Sequence, residues 1–512
     1  MSRTLILAAA AIFVLAGLAP IACMFARVQP GDLSGVLDPR TSSLLWRTLW
    51  MGTAAAGLAF GLGLPFGFLV ARTDMPLARI LRHIGLVPLL VPPVILAMTT
   101  SVLWTDVRGA TAVIVVLGVS TFPLVAVFSA RALERIDARR EEAALLAGGM
   151  RAALRMELPL VLPAALCGAC FAFVLAINDF AVPDYVASIG KKYNVYADEV
   201  FASWQSVHTP GKAVAAALPL IVLTLAALIP ALWLRRRGSL ATFDGDFQRP
   251  AALELGAWRW PAFAIVAAVV GITAVLPIAR LTWEAGGGQH GWSFAHLQGA
   301  FARGIEMGRT DLQRSLLFAG SAALLSIFPA LVLGHALQRS RKSGWLEIAV
   351  VLPIAVPAIL FGIGTIALWN HEATADFYAS GFVVVLLLLG RFVAFPILAV
   401  SGATAMLDRR LEEAGEICGA KPARRLCSIV APAVRASLLG GAALVFVFGM
   451  RELDAAILVP AANGTAMFRV YNAIHFGRDD FVAALALLVI FFILLPGILW
   501  SAFARERMEV LP

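Results

Sequence analysis

The sequence predicts an all-α polytopic membrane protein with about twelve membrane-spanning helices in two tandem six-helix halves. Three observations support this fold class. Of the 512 residues, 60% are hydrophobic and only 14% are charged, whereas soluble domains carry about a quarter charged residues. Several stretches exceed the roughly 20 apolar residues that a membrane-spanning helix requires. A set of matched residues also recurs once along the chain, which indicates an internal duplication.

We predict six spans in each half. The apolar run after Arg3 is longer than the h-region of a signal peptide, about 7–15 residues, so we interpret it as a retained first span. The halves are residues 1–235 and 259–512, and a polar cytoplasmic linker, residues 236–258, joins them. The predicted spans are 5–27, 44–70, 84–104, 110–130, 160–178 and 214–235 in the first half, and 259–281, 313–337, 345–368, 380–403, 436–450 and 480–503 in the second.

The duplication is visible in residues that match in the same order. Pro88 and Pro92 match Pro353 and Pro357, both at a shift of 265. Because each half has an even number of spans, the two halves run in parallel orientation. Further matches are Arg47 with Arg314, Trp104 with Trp369, Glu142 with Glu413, Pro159 with Pro432 and Phe173 with Phe446.

Two proline-rich segments are not expected to form plain helices. They are residues 86–93, L-V-P-L-L-V-P-P, and residues 352–357, L-P-I-A-V-P. Proline removes a backbone donor, and lipid cannot replace the lost hydrogen bond. The segments are therefore expected near the bundle interior, either lining a water-filled path or forming packed kinks.

The formal charge of +9 follows membrane topology. With twelve spans and both termini inside, about 26 of the 41 Lys and Arg residues fall in cytoplasmic segments, as the positive-inside rule requires. This distribution argues against a nucleic-acid partner and predicts a multi-pass protein of the bacterial inner membrane with both termini in the cytoplasm.

One polar motif occurs in both halves. Residues 141–149 read E-E-A-A-L-L-A-G-G, and residues 412–420 read E-E-A-G-E-I-C-G-A. Alanine and glycine allow another surface to approach a helix closely, and glycine can end one helix and turn the chain into the next. The repeat predicts a docking surface presented twice, and therefore a partner that is a dimer or a pair. The alternative is an ordinary surface helix held by its own ion pairs.

The pattern E-A-A-x-x-x-G at Glu142, which recurs at Glu413 with Gly415 in place of the second Ala, resembles the cytoplasmic loop of permease subunits of binding-protein-dependent ABC importers. Two such domains in one chain, with N-D-F-A-V-P at 178–183 and R-E-L-D-A-A at 451–456, are similar to the iron(III) permease branch. Thiamine and phosphonate permeases share this architecture, and a polyamine permease is a further alternative. The resemblance covers about residues 40–235 and 310–503.

The resemblance implies a type I ABC importer permease fold with two coupling loops, at about 134–158 and 405–432. Two copies of a separate ATPase would bind these loops, and a periplasmic binding protein would deliver the substrate, iron(III) on this resemblance, to the outer face. The first loop is two residues shorter between its glycine and proline, which leaves open whether both loops dock equally. The coupling residues implied are Glu142, Ala143, Ala144, Gly148, Glu413, Ala414 and Gly419.

Several motifs are missing from the sequence. There is no G-x-x-x-x-G-K-[ST] stretch, so we expect no ATP binding by a P-loop. No cluster of His and Cys has the spacing of a metal site, no Ser, His and Asp set suggests catalysis, and no cofactor is expected. The C-x-x-C pair at Cys167 and Cys170 lies in an apolar span, where we interpret both as small core residues.

Arg391 lies near the middle of a predicted span. A charge there costs roughly 2.5–3.5 kcal/mol on insertion scales, so Arg391 should face the interior and pair with an acid. We expect Glu452 first, then Asp454, then Asp179. These residues, with Arg451, form either a polar passage or gate, or a buried ion pair that fixes helix orientation.

Two other functional classes compete with an ABC permease. A secondary transporter driven by protons or sodium usually keeps acids or histidines deep in the membrane, whereas the clear deep charge in this sequence is an arginine. For a membrane-embedded enzyme or scaffold, the sequence offers no constellation of residues.

Overall fold

The structure is a computed structural model that describes residues 3–33, 36, 38–190, 192–207, 210–238, 248, 251–288, 291–340, 343–458, 460, 463–475 and 479–503. The described chain is almost entirely helical. Its sheet structure is one short antiparallel ribbon, Gly287–Gly288 with Gly291–Trp292, and an isolated parallel bridge between Thr73 and Leu253.

The helices follow one another with short connections. From the N-terminus to the linker they are Arg3–Phe25, Pro39–Arg72, Ala78–Ile84, Val87–Leu90, Pro93–Leu103, Gly109–Glu134, Ala138–Asn178, Ala181–Ile189, Tyr196–Val207 and Pro210–Gly238. After the linker they are Gly256–Gly286, Phe294–Arg339, Ser343–Ala355, Ala358–Trp369, Ala375–Ala379, Phe382–Phe392, Ala394–Ala405, Arg409–Ile417, Pro422–Ala433, Arg435–Arg451, Ala466–His475 and Asp479–Phe503.

The helices confirm the predicted all-α membrane fold. Within the described residues, eight helices are long and apolar enough to cross a membrane, and four bent helix pairs bring the total to twelve when each pair is one span. The pairs that correspond to the proline-rich segments are Ala78–Leu90 with Pro93–Leu103, bent by 99°, and Gly344–Ala355 with Ala358–Trp369, bent by 96°.

The prolines explain these two bends. Val91 and Pro92 have extended backbone, and Pro357 is extended in the same way at the second break. Pro92 and Pro357 each stand immediately before a new helix and lack the N–H that would continue the previous one. The expectation that these segments are not plain helices is confirmed, at equivalent places in the two halves.

The chain forms two compact units whose borders differ from those of the sequence halves. The first unit comprises residues 37–198 and 222–281, and the second comprises residues 1–36, 199–221 and 282–512. Each unit therefore contains the first span of the other half. The compact units are defined by which residues pack together, whereas the halves are defined by the sequence repeat. The boundaries of the halves at 235 and 259 therefore stay a prediction.

In the first unit, the helix beginning at Arg259 packs on the end of helix Pro39–Arg72. Val266 and Val270 join a buried cluster with Phe66 and Val70. In the second unit, the N-terminal helix Arg3–Phe25 packs against Ala358–Trp369 and Phe382–Phe392.

Glycines let the helices of each unit approach closely, and they do so at repeated positions. A Cβ on Gly67 would lie 2.5 Å from the carbonyl oxygen of Ala126, and one on Gly334 would lie 2.7 Å from that of Ile397. Gly334 follows Gly67 by 267 residues. Small residues at such crossings allow backbone contact between membrane helices, so the duplication extends from the sequence to the packing.

Candidate functional site

The first cytoplasmic motif forms a short helix with a capped start and a glycine end. We call residues 138–147 the first loop helix. The Asp137 carboxylate accepts a hydrogen bond from Arg139 N–H at 2.9 Å and so caps the helix. The helix ends at Gly148, which is extended, and Gly149, whose φ of 65° and ψ of −160° suit glycine alone.

The second motif forms an equivalent helix, Arg409–Ile417, which we call the second loop helix. Asp408 caps it by accepting a hydrogen bond from Arg410 N–H at 2.9 Å. At its end, Gly419 has a φ of 79°, and the amides of Gly419 and Ala420 donate to the carbonyls of Glu416 and Gly415. This is a Schellman motif, which requires a residue in the left-handed region. The prediction that glycine turns the chain here is confirmed in both loops.

The predicted coupling residues lie mostly on the exposed face of these helices. Glu142, Ala143 and Gly148 are exposed in the first loop, and Ala144 is half-buried. In the second loop, Ala414 and Gly419 are exposed, and Glu413 pairs with Arg409 on the surface at 3.1 Å. Their role in coupling stays a prediction.

Each loop helix also has a highly exposed large apolar side chain near its end, and the second loop helix additionally exposes Leu411, at 52%. Leu146 is 90% exposed and Ile417 is 87% exposed, the two highest values among the large apolar side chains of the described residues. Ile417 follows Leu146 by 271 residues, the same shift that relates Glu142 to Glu413. The two side chains at this matched position are candidates for contact with a partner, and that role stays a prediction.

The preceding glutamate of each motif has a different environment, which sequence reasoning missed. Glu141 is 4% exposed, and its Oε1 lies 2.6 Å from Nη2 of Arg72. In the second loop, Glu412 pairs with Arg339 at 2.6 Å and with His335 at 2.8 Å. These ion pairs fasten each loop helix to the end of a membrane helix.

The ion pairs also determine the protonation of Glu412. Burial alone would raise its pKa, but the hydrogen bonds and charges of His335 and Arg339 outweigh burial and hold the pKa below its ordinary value. Glu412 is therefore ionised near neutral pH. The signal for these pairs was present in the repeat, because Arg339 follows Arg72 by 267 residues and Glu412 follows Glu141 by 271.

Arg391 is half-buried at the end of helix Phe382–Phe392 and pairs with an acid of the same unit. Its Nε lies 3.2 Å from Oε2 of Glu452, with side-chain exposures of 15% and 8%. Glu452 Oε1 accepts a hydrogen bond from Ala455 N–H at 2.9 Å. The structure thus selects the acid that we expected first, while a role of the pair as passage or gate stays a prediction.

The other predicted pathway residues have separate surroundings. The guanidinium of Arg451 lies over the Phe448 ring, 5.3 Å from its centroid. Asp179 accepts a hydrogen bond from Val182 N–H at 2.9 Å and caps helix Ala181–Ile189. Asp454 is half-buried, two residues after Glu452. Among the described residues, no group of three or more His, Cys, Asp or Glu side chains is placed to hold a metal ion.

These features define a class of protein: a multi-pass membrane protein with an internal duplication and an equivalent capped loop helix in each half. The chain matches the family described as binding-protein-dependent transport system inner membrane component, over residues 63–239 and 322–508. These matches cover more than half of the chain and one lies in each half, so the chain belongs to this family as a permease of the fused two-domain ABC type.

Curated relatives are similar at low identity. An Fe(3+)-transport system permease protein of Haemophilus influenzae is 21% identical over 472 residues, which cover 91% of each chain. A ferric transport system permease protein of Actinobacillus pleuropneumoniae is 23% identical, over 68% of this chain and 52% of that protein. A putrescine transport system permease protein of Escherichia coli is 26% identical, over 37% of this chain and 69% of that protein. For another relative, the match spans only 27% of its length.

Proposed function

We propose that this chain forms the membrane pathway of an ATP-driven importer and couples it to two separate ATPase subunits. The observation that carries the proposal is the matched pair of outward apolar side chains, Leu146 and Ile417, on capped helices in the two halves. Family membership supports a transport subunit without catalysis of its own. Each loop helix would insert its apolar side chain into a groove of one ATPase, and the flanking small residues would permit close approach.

The ion pairs behind the loop helices support this reading. Arg72 with Glu141, and Arg339 with Glu412, connect each loop helix to the end of an earlier membrane helix, Pro39–Arg72 in one half and Phe294–Arg339 in the other. A displacement of the loop helix would therefore pull on a transmembrane element. ATP-driven closure of two ATPases could in this way bias the pathway between two arrangements, which alternating access requires.

Iron(III) is the substrate that we propose, delivered by a periplasmic binding protein. The relative matched over 91% of both chains is named for Fe(3+) transport. Other relatives are named for putrescine and molybdenum transport, so polyamines and oxyanions are the main alternatives, with thiamine and phosphonate behind them. Uptake of radiolabelled ferric ion, putrescine and molybdate by cells that carry or lack this gene distinguishes them. Ferric uptake that is unchanged without the gene would exclude iron.

Coupling is tested by replacing the two apolar side chains. Leu146→Ser and Ile417→Ser should each reduce transport-coupled ATP hydrolysis of the purified complex about tenfold or more, since a buried leucine side chain at an interface contributes about 1.5–3 kcal/mol. Both variants should unfold at the wild-type temperature, because the side chains are exposed in this chain.

Two further variants serve as controls. Ile189→Ser removes a 52% exposed isoleucine far along the chain from either loop helix and should leave hydrolysis unchanged. Glu141→Gln should lower the unfolding temperature, whereas the exposed neighbour Glu142→Gln should not. Normal coupling in the Leu146→Ser, Ile417→Ser double variant would refute the docking role of these helices.

A further inference from the structure

The linker between the halves forms hydrogen bonds with residues 72–74, at the end of helix Pro39–Arg72. Leu253 N–H donates to the carbonyl of Arg72 at 2.6 Å, and the Leu253 carbonyl accepts from Asp74 N–H at 3.2 Å. Leu255 N–H donates to Oδ1 of Asp74 at 2.9 Å. The Leu253 side chain is 8% exposed. The linker here is therefore an ordered part of the first unit.

The same stretch of linker also reaches the first loop helix. Ala138 N–H, at the start of that helix, donates to the carbonyl of Gln248 at 3.0 Å. This bond satisfies one of the amides that a helix start leaves without an intrahelical partner. We call Gln248 together with residues 251–255 the linker brace.

Arg72 connects the linker brace to the ion pairs. Its Nη1 donates to the carbonyl of Ala251 at 2.9 Å, while Nη2 lies 2.6 Å from Glu141 and 2.9 Å from Glu157. The Arg72 side chain is 2% exposed. A single buried guanidinium thus holds the linker, the first loop helix and the following membrane helix together, in the fixed fork geometry of arginine.

The second loop has the corresponding arginine in a different setting. Arg339 Nη2 donates to the carbonyl of Leu407 at 3.1 Å, and Leu407 belongs to the second loop itself. The side chains of Arg339 and Glu412 are 24% and 17% exposed. The carbonyl that the linker supplies to Arg72 comes in this half from the residue just before the helix cap.

We propose that the linker brace fixes the first loop helix to its unit, so that the two loop helices are mechanically unequal. The first loop helix is held rigidly, because the linker brace stabilises it. The second is held by more exposed ion pairs and turns more readily. The consequence for transport, that the second loop helix undergoes the larger displacement, rests on the proposed function. The linker brace itself does not.

The test is hydrogen exchange of the purified full chain without any ATPase, corrected for intrinsic rates. Backbone amides of residues 141–147 should exchange about tenfold or more slowly than those of residues 412–417, since local opening of a braced helix is less favourable. Asp74→Ala removes an acceptor for the brace, and Leu253→Pro removes a donor. Each should accelerate exchange in residues 141–147 and leave residues 412–417 unchanged.

Arg339→Gln is the matched control, and it should accelerate exchange in residues 412–417 alone. If Leu253→Pro does not fold, the Asp74→Ala variant and the wild-type comparison still decide. Equal protection of the two loop helices, or no response to Asp74→Ala, would overturn the brace. Either result would leave the docking proposal intact, because the exchange experiment contains no ATPase. Conversely, a chain that fails to bind the ATPase would contradict the docking proposal and leave the linker brace intact.

Discussion

At the scale of single residues, the buried charge of Arg391 depends on Glu452. Removing one member of a buried pair strands the other and typically destabilises a protein by roughly 3–5 kcal/mol. Arg391→Gln and Glu452→Gln should each lower the unfolding temperature in detergent, and the double variant should lose less than the sum of the two. In a double-mutant cycle of Arg391→Gln with Asp179→Asn, the losses of stability should be additive, since Asp179 caps helix Ala181–Ile189. Additive losses for Arg391 and Glu452 would show that the pair contributes nothing.

Asp198 gives a second prediction at this scale. It lies in the predicted outer segment between two spans, and burial raises its pKa from 3.8 to about 7, with the nearby acids Asp184 and Asp179 adding to the effect. Its Oδ2 accepts a hydrogen bond from Val195 N–H at 3.0 Å, which partly opposes the rise.

The sign of the pH effect follows from this raised pKa. Between pH 3.8 and about 7 the folded state binds the proton more tightly than the unfolded state, so stability falls as pH rises through this range. Asp198→Asn should therefore raise the unfolding temperature at pH 8 and change it little near pH 4. The measurement is thermal unfolding at both pH values, and an equal shift at both would contradict the assignment.

One of the two buried arginine–glutamate contacts was predicted from the sequence, and the other was missed. Arg391 with Glu452 followed from the cost of a charge in lipid, because few acids were available nearby. Arg72 with Glu141 was missed, since nothing local distinguishes Glu141 from Glu142. Only the packing shows that one faces the arginine and the other faces water.

At the scale of elements, each loop helix is defined by an aspartate cap and a glycine end. Gly419→Val forces a branched side chain into a left-handed conformation, which costs roughly 1–2 kcal/mol. The Cβ itself would meet open space, so the penalty is confined to the backbone. We expect loss of coupled transport with the protein still inserted.

Asparagine provides the control for this substitution, because it tolerates the left-handed region. Gly419→Asn should retain more transport than Gly419→Val, measured as uptake in cells with matched protein levels. In the first loop the positive φ lies at Gly149, although Gly148 aligns with Gly419, so Gly149→Val should be the damaging variant there. Normal uptake by Gly419→Val would remove the argument for that half.

Element breaks were well predicted where proline determines them. The bends near Pro92 and Pro357 were expected because proline lacks the N–H that would continue a helix. The hydrogen bonds of Leu253 and Leu255 to residues 72–74 were not predicted. The polar linker sequence has no periodicity, and its partners are about 180 residues away in the chain.

At the scale of the whole molecule, the orientation in the membrane stays a prediction from charge. The basic loops at 71–83, 131–158, 235–259, 338–344 and 405–435 should face the cytoplasm, with the N-terminus. In a cysteine-free background, Ala423→Cys should resist an impermeant thiol reagent in sealed cells, whereas Thr105→Cys should react. The predicted site at Ser239 lies outside the described residues, but its labelling is informative in the same way. Strong labelling at position 423 would overturn the topology.

The twelve-span duplicated architecture was predictable because hydropathy and repetition act over long distances. The finding that each compact unit contains the first span of the other half was not predictable. The sequence of a lipid-facing apolar helix carries no signal for which neighbour it contacts. Only shape at close approaches, such as Gly390 against Ala16, specifies that packing.

The central claim is that one copy of this chain binds two ATPase subunits, one at each loop helix. The most direct measurement is the native mass of the complex, extracted under mild conditions through a tag on this chain, with P-loop subunits identified by peptide sequencing. We predict one copy of this chain with two copies of the ATPase, reduced to one copy by Leu146→Ser or by Ile417→Ser. A stable wild-type chain without any ATPase, or with a single copy, would contradict the claim.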